Sequence, residues 1–292
     1  MHEAAYVVAS FALLSQILAL LRDRAFAHAF GASEVLDSYF AAFKVPDLMF
    51  AVITVMVSSA ALVPLLSKLD RVQQGRYLSS VLFFFGILAI PVTAVLYVLM
   101  PSILAYLLPG FDAQLLESTN TLSRIMLLQP ILLGVSSVIA SIVQFERRFV
   151  LFALAPLFYN GGIILGVLLL YPHFGLAGLA WGVVIGACMH LAVQLVPILH
   201  RVPFVVPGVG FIEMFYAVIV PSVPRALALF SNQGVMIVFA FLASRAGAGA
   251  LSAVTFAQNL HAVPLAVIGV SYAAALFPAL AELRTSDREK IA

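Results

Sequence analysis

Cysteine and charge are both scarce in this chain, and each scarcity excludes something. A single cysteine, Cys188, set in an apolar run, rules out a disulfide framework and a thiolate metal cluster. Only 10% of the residues are charged, against about a quarter in soluble domains. The net charge of +2 is scattered along expected loops, so no basic stripe for nucleic acid exists. The six histidines (His2, His28, His173, His190, His200 and His261) show no HExxH or other ligand spacing. Neither a GxSxG elbow nor a P-loop occurs. With no nucleophile–base or metal set visible, neither an enzyme nor a resident cofactor is expected. A coupling monovalent cation stays open.

What is abundant points one way. Hydrophobic residues make up 63% of the 292, and the mean hydropathy is +1.11. A soluble fold of this length cannot hide that much apolar surface. A helical span needs about 20 mostly apolar residues. Eight segments qualify: 4–29, 36–66, 78–107, 120–145, 150–171, 175–199, 211–243 and 249–281. The expected fold class is therefore all-α, a polytopic transmembrane helical bundle. The N-terminal MHEAAYVVASFALL lacks a basic n-region and a cleavage site, and reads as the first span.

Basic residues collect in alternate loops. Lys68, Arg71 and Arg76 follow the second span, Arg147 and Arg148 the fourth, Arg201 the sixth, and Arg284, Arg288 and Lys290 the eighth. Against these nine, the other face has only Arg124 and Arg245. The positive-inside rule then puts both termini in the cytoplasm. A Pro/Gly-rich connector, 203–210, divides a six-helix lobe over 1–202 from a second unit over 211–292. An internal repeat supports the division. SAALVPLLSKL at 59–69 matches AAALFPALAEL at 273–283 in six of eleven positions, and Gly31, Ala32 and Phe40 recur as Gly247, Ala248 and Phe256. Internal repeats around a central site are a transporter trait.

Small residues and prolines mark the packing. Gly178, Gly182 and Gly186 share one helix face, with Asn160-Gly161-Gly162 and Gly166 as the expected partner surface. A proline within a span removes an i→i−4 hydrogen bond and bends the helix. Pro46, beside Lys44 and Asp47, and Pro264, near His261, are the candidate hinges.

The costly residues are ionisable ones at bilayer depth, each worth roughly 2.5–3.5 kcal/mol against insertion. They gather in RDRAFAHAFGASEVLDSYFAAFKVPD, residues 22–47. Arg22, Asp23 and Arg24 end the first span. Asp37 and Lys44 lie at i and i+7, with Asp47 three residues on, so all three share roughly one face. Two readings stand. The charges clamp spans one and two together, or they form a partly compensated cationic surface for an anionic substrate, which the arginine fork suits. Candidate cavity residues are Arg22, Arg24, Lys44, Asp37 and Asp47, joined by Arg225, Asn259 and His261 from later spans.

The order Arg22-Asp23, Phe30-Gly31-Ala32, Asp37-Ser38-Tyr39-Phe40, Ala42-Phe43-Lys44-Val45-Pro46-Asp47-Leu48 and Val63-Pro64 resembles the MurJ (MviN) lipid II flippases. Pro109-Gly110-Phe111, Ala155-Pro156 with Asn160, and Phe277-Pro278-Ala279-Leu280 match the same family. The resemblance implies the MOP exporter fold, here its N-terminal lobe and the first two helices of a second. It also implies alternating access, carrying an undecaprenyl-pyrophosphate-linked peptidoglycan precursor across the bacterial plasma membrane. Arg22 falls on a cationic cavity position of that family and Asp37 on its acidic one.

The chain departs from the pattern in places. Gln16 stands where the family has a second arginine, Phe50-Ala51 where another is expected, and Gln258-Asn259 where Asp-Arg precedes the proline. Family members have about fourteen spans, so the remaining helices are expected from the rest of the gene or from another chain. Rival readings are export of another lipid-linked oligosaccharide or a drug-like cation, and a non-transporting membrane scaffold.

Overall fold

The computed structural model describes the backbone over residues 2–54, 62–63, 66–67, 69–196, 199 and 211–265, and side chains over the same stretches except 2–7, 53–54 and 211–226. These residues form helices and connecting turns, with no strand among them. α1 (His2–Phe30), α2 (Glu34–Ala42) and α3 (Lys44–Thr54) lead to α4 (Arg71–Leu107), α5 (Ala113–Met126) and α6 (Leu128–Phe145). α7 (Phe149–Leu165) passes through a π-helical turn (Gly166–Leu170) into α8 (Tyr171–Phe174). α9 (Leu176–Leu195), α10 (Phe211–Ser244) and α11 (250–265) follow.

Five stretches among the described residues are long and apolar enough to cross a membrane. They are α4, α5 with α6, α7 through α8, α9, and Leu227–Ser244 of α10. They answer to expected spans three to seven, while α1, the α2–α3 pair and α11 stand at the places of spans one, two and eight. Bare apolar side chains such as Ile90, Val98 and Leu227 cover their outer faces. Water would penalise such a surface, whereas lipid does not.

Helix limits follow from backbone donors. The expected span 36–66 is interrupted at Phe43. Pro46 has no N–H to give the carbonyl of Ala42, four residues back, and α2 ends there. The same spacing separates Pro130 from Met126, where α5 ends and α6 begins. Pro91, Pro101 and Pro156 sit inside continuous helices instead. α4 starts at Arg71, earlier than expected, because Asp70 and Gln73 form a reciprocal capping box. α5 likewise starts at Ala113, where Asp112 caps by accepting from the N–H of Leu115 at 2.8 Å.

The tightest helix contact joins α7 to α9. A Cβ on Gly162 would fall on the backbone of Gly186, and one on Gly166 would meet the Gly182 Cα at 2.7 Å. Gly178 lies equally close to Leu170. The expected glycine face therefore packs as expected, except that Gly161 faces open space. The repeat segments 59–69 and 273–283, the connector 203–210 and the tail 282–292 lie wholly or mostly outside the described residues.

Candidate functional site

α1, α2, α3, α6, α7, α10 and α11 converge on a cavity of about 410 Å³. Arg22, Lys44 and Asp47 bring charge to it, and Gln129, Asn232, Gln233, Gln258 and Asn259 bring amides. Tyr39, Phe40, Phe43 and Tyr159 supply aromatic walls. Phe26 stacks against Tyr39, with ring centroids 4.8 Å apart, and Phe40 meets Phe256 edge-on at 5.5 Å. Phe40 and Phe256 are one matched pair of the expected internal repeat, and they touch.

Arg22 is the best-held group. Its Nε and Nη2 donate to Asp23 Oδ1 at 2.9 and 2.7 Å, and its Nη1 donates to Asn160 Oδ1 at 3.0 Å. Asn160 is oriented in turn by donating to the carbonyl of Pro156 at 3.1 Å. The other Asp23 oxygen accepts from Asn259 Nδ2 at 2.8 Å. One carboxylate and two amides thus tie α1 to α7 and to α11. Three of the five guanidinium N–H groups are engaged, leaving two for a ligand.

Asp37 is placed elsewhere. Its carboxylate accepts from the backbone N–H of Gly249 and of Ser252, each at 2.7 Å, and from the Ser252 hydroxyl. It caps α11 across the molecule, satisfying donors that a helix N-terminus leaves bare. Gly249 holds φ +81°, and a side chain there would strike the Ala32 carbonyl. Glycine is what lets the two turns close on one another.

These placements correct the expectations from the sequence in several respects. Asp37 faces away from the cavity, because the α11 N-terminus takes its lone pairs. The expected ion pair between spans one and two is absent among the described residues, since Arg22 pairs with its own neighbour Asp23. Arg24 is exposed and outside the cavity lining, being two positions round the helix from Arg22. His261 is exposed as well, and so is Pro264 near it. The side chain of Arg225 lies outside the described residues. Arg22, Lys44, Asp47 and Asn259 are brought together, and Pro46 marks the bend that separates α2 from α3.

Asp23, Asn160, Gln129 and the Asn232-Gln233 pair belong to the arrangement but escaped selection. A signal existed for the amides: each is a hydrogen-bonding side chain inside an otherwise apolar run. For Asp23, adjacency to Arg22 disguised a bridging carboxylate as a local partner.

Comparison with known proteins gives one consistent result. The family model described as "Lipid II flippase MurJ" matches residues 26–291. A "Probable lipid II flippase MurJ" of Buchnera aphidicola subsp. Acyrthosiphon pisum is 31% identical over 94% of this chain and 56% of its own length. A "Lipid II flippase MurJ" of Burkholderia cenocepacia is 28% identical over 97% of this chain and 57% of its own. The chain thus spans a little over half the length of the curated relatives it matches. Among solved structures, a lipid II flippase MurJ in an inward closed conformation superposes with TM-score 0.67 at 21% identity, covering 89% of this chain and 55% of that one. An inward-facing MATE-family multidrug transporter of the MOP superfamily gives 0.70 at 18% identity, over 92% and 64%. At such identities the structures speak for the fold alone, which is that of MOP-superfamily transporters.

Proposed function

We propose, on the premise that this chain belongs to the lipid II flippase MurJ family, that it supplies the N-terminal lobe and opening helices of a flippase for lipid-linked peptidoglycan precursor. The observation that carries this reading is Arg22. Its guanidinium is held by Asp23 and Asn160 yet stays 19% exposed and lines the cavity with two N–H groups to spare. A pyrophosphate takes that fork bidentately, and the Lys44 ammonium, which lines the same cavity, adds a second cation. Asp23 and Asp47 position and partly neutralise these cations, which keeps binding weak enough for release. The substrate enters from the inner leaflet of the bacterial plasma membrane, with both termini cytoplasmic by the loop-charge argument.

In this reading the Asp37 cap holds α2 against α11 on the outer side, and opening there requires that cap to break. The bend at Pro46 and the proline at Pro264 let the flanking helices move. The helices that relatives carry beyond this length complete the second lobe, from the same gene or another chain. No cofactor is invoked. The chain acts as a carrier rather than an enzyme.

The test is complementation in cells depleted of their own flippase, using the gene together with whatever follows it. Growth with wild type and lysis with Arg22→Gln supports the reading, while lysis with both sinks it. Binding of a cationic drug that improves when Arg22 is neutralised would move the reading towards drug export.

A further inference from the structure

α4 and α5 meet at an arginine that no carboxylate balances. Pro101 lies inside α4 and has no N–H for the carbonyl of Tyr97, four residues back. Arg124 of α5 supplies the missing donor: its Nε donates to that carbonyl at 3.1 Å. Its Cζ also stands 4.5 Å from the centroid of the Tyr97 ring. One hydrogen bond and one stacking contact thus fix the plane of the fork. The four Nη hydrogens have no partner among the described residues. No carboxylate among those residues pairs with Arg124 either, and the one acid on its own helix, Glu117, stands seven positions back. The neighbours are of the kind that lipid touches. Tyr97 and Val98 are exposed, as is Leu128, one turn on from Arg124. Neither Arg124 nor Tyr97 lines the charged cavity.

The depth of this pair follows from the sequence. The 21 residues after Arg124, 125–145, carry no charge and rise about 31 Å as helix, the thickness of the hydrocarbon. The turns of α5 before it hold Gln114, Glu117, Ser118, Asn120 and Thr121, which belong in water or among headgroups. Arg124 therefore stands at headgroup level, where tyrosine also collects. A bare cation beside lipid is costly, and an arginine fork at that level is the complement of a phosphodiester. We propose that Arg124 and Tyr97 form a headgroup site for an anionic phospholipid, one whose phosphate carries no compensating ammonium. The phosphate oxygens take the Nη hydrogens bidentately, and an acyl chain lies along Val98 and Leu128. A zwitterionic headgroup neutralises its own phosphate and brings a cation towards a cation, so the net-negative lipid is preferred. The loop-charge orientation proposed above puts the site in the outer leaflet. Binding itself does not depend on that orientation.

The test uses the purified full chain in an uncharged detergent, read by native mass spectrometry. The probes are phosphatidylglycerol and phosphatidylethanolamine with matched acyl chains. Wild type should bind phosphatidylglycerol about tenfold more tightly, the worth of one charge-assisted contact. Arg124→Gln keeps a donor for the Tyr97 carbonyl, so it should fold and yet lose the preference. Arg124→Lys keeps the charge without the fork and should retain part of it. Pro101→Ala returns an N–H to the Tyr97 carbonyl, releases Nε from it, and should reduce the preference with the charge unchanged. Arg24→Gln, exposed on α1, should leave it intact. A wild type with no preference overturns the site, as does a preference that survives Arg124→Gln or that Arg24→Gln removes equally. Should Arg124→Gln fail to fold, an undiminished preference in both Arg124→Lys and Pro101→Ala overturns it. Displacement of phosphatidylglycerol by millimolar inorganic phosphate would assign the fork to a free anion and overturn the lipid.

Discussion

α7 and α9 meet through what is missing from them, whereas α1, α2 and α11 meet through what they extend. At Gly162, Gly166, Gly182 and Gly186 the absence of side chains lets two backbones touch. At Arg22, Asp23 and Asp37, side chains reach across to Asn160, Asn259, Gly249 and Ser252. The first contact joins residues close in sequence. The second joins residues from 138 to 236 positions apart. Backbone contact of the first kind resists sliding because any shift collides. Hydrogen bonds of the second kind can be given up and remade.

The difference can be broken experimentally. Gly182→Leu should have the largest effect: overpacking costs about 1–3 kcal/mol and here strikes backbone, so loss of monodisperse protein in fluorescence-detected size exclusion is expected. Gly161→Leu, in open space, serves as the control and should elute as wild type does. If both variants behave alike, the close-packed reading of α7–α9 is wrong.

Asp37→Ala comes next. It strips the cap from α11 and should cost about 1–3 kcal/mol, lowering the thermal midpoint. In a Cys188→Ser background, Ala248→Cys should react faster with a membrane-impermeant maleimide once Asp37 is replaced. Unchanged labelling would show that the junction does not depend on the carboxylate.

Arg22→Gln should lower stability less, because the guanidinium is partly exposed and keeps a hydrogen-bonding replacement. Its effect should fall on ligand binding, with about tenfold or greater loss of affinity for a pyrophosphate lipid. Exchanging the pair, Arg22→Asp with Asp23→Arg, separates clamp from site: a folded but inactive exchange favours a site. Arg24→Gln should be smallest, within about 0.5 kcal/mol and without effect on binding, since Arg24 is exposed outside the cavity. A large effect there would restore the wider cationic surface that the sequence suggested.

Much of this was legible beforehand. The glycine spacing in 178–186 named its partner surface, since the helix period alone puts those residues on one face. The stretch 22–47 was marked because charge in an apolar run has few permitted explanations. Asp37 shows the limit. Its i, i+7 spacing from Lys44 predicts a shared face on one unbroken helix, yet its carboxylate turns to the N-terminus of a helix that starts more than two hundred residues later. Helical periodicity gives direction within one element and says nothing of which distant donors lie there. His190 and Gln194 show the same limit, because their partner, Ser136, lies on another helix.

From sequence alone, then, came the class of the molecule, the bend at Pro46, and the close pairing of α7 with α9. Those features depend on hydropathy, missing backbone donors and missing side chains, all of which act locally. Only the tertiary structure decided which charges do what. It assigned Arg22 to the cavity, Asp23 to holding it, Asp37 to capping α11, and Arg24 and His261 to exposed positions. A charge in an apolar medium is governed by its partners, and partners brought together from distant parts of a chain exist only once the chain has folded.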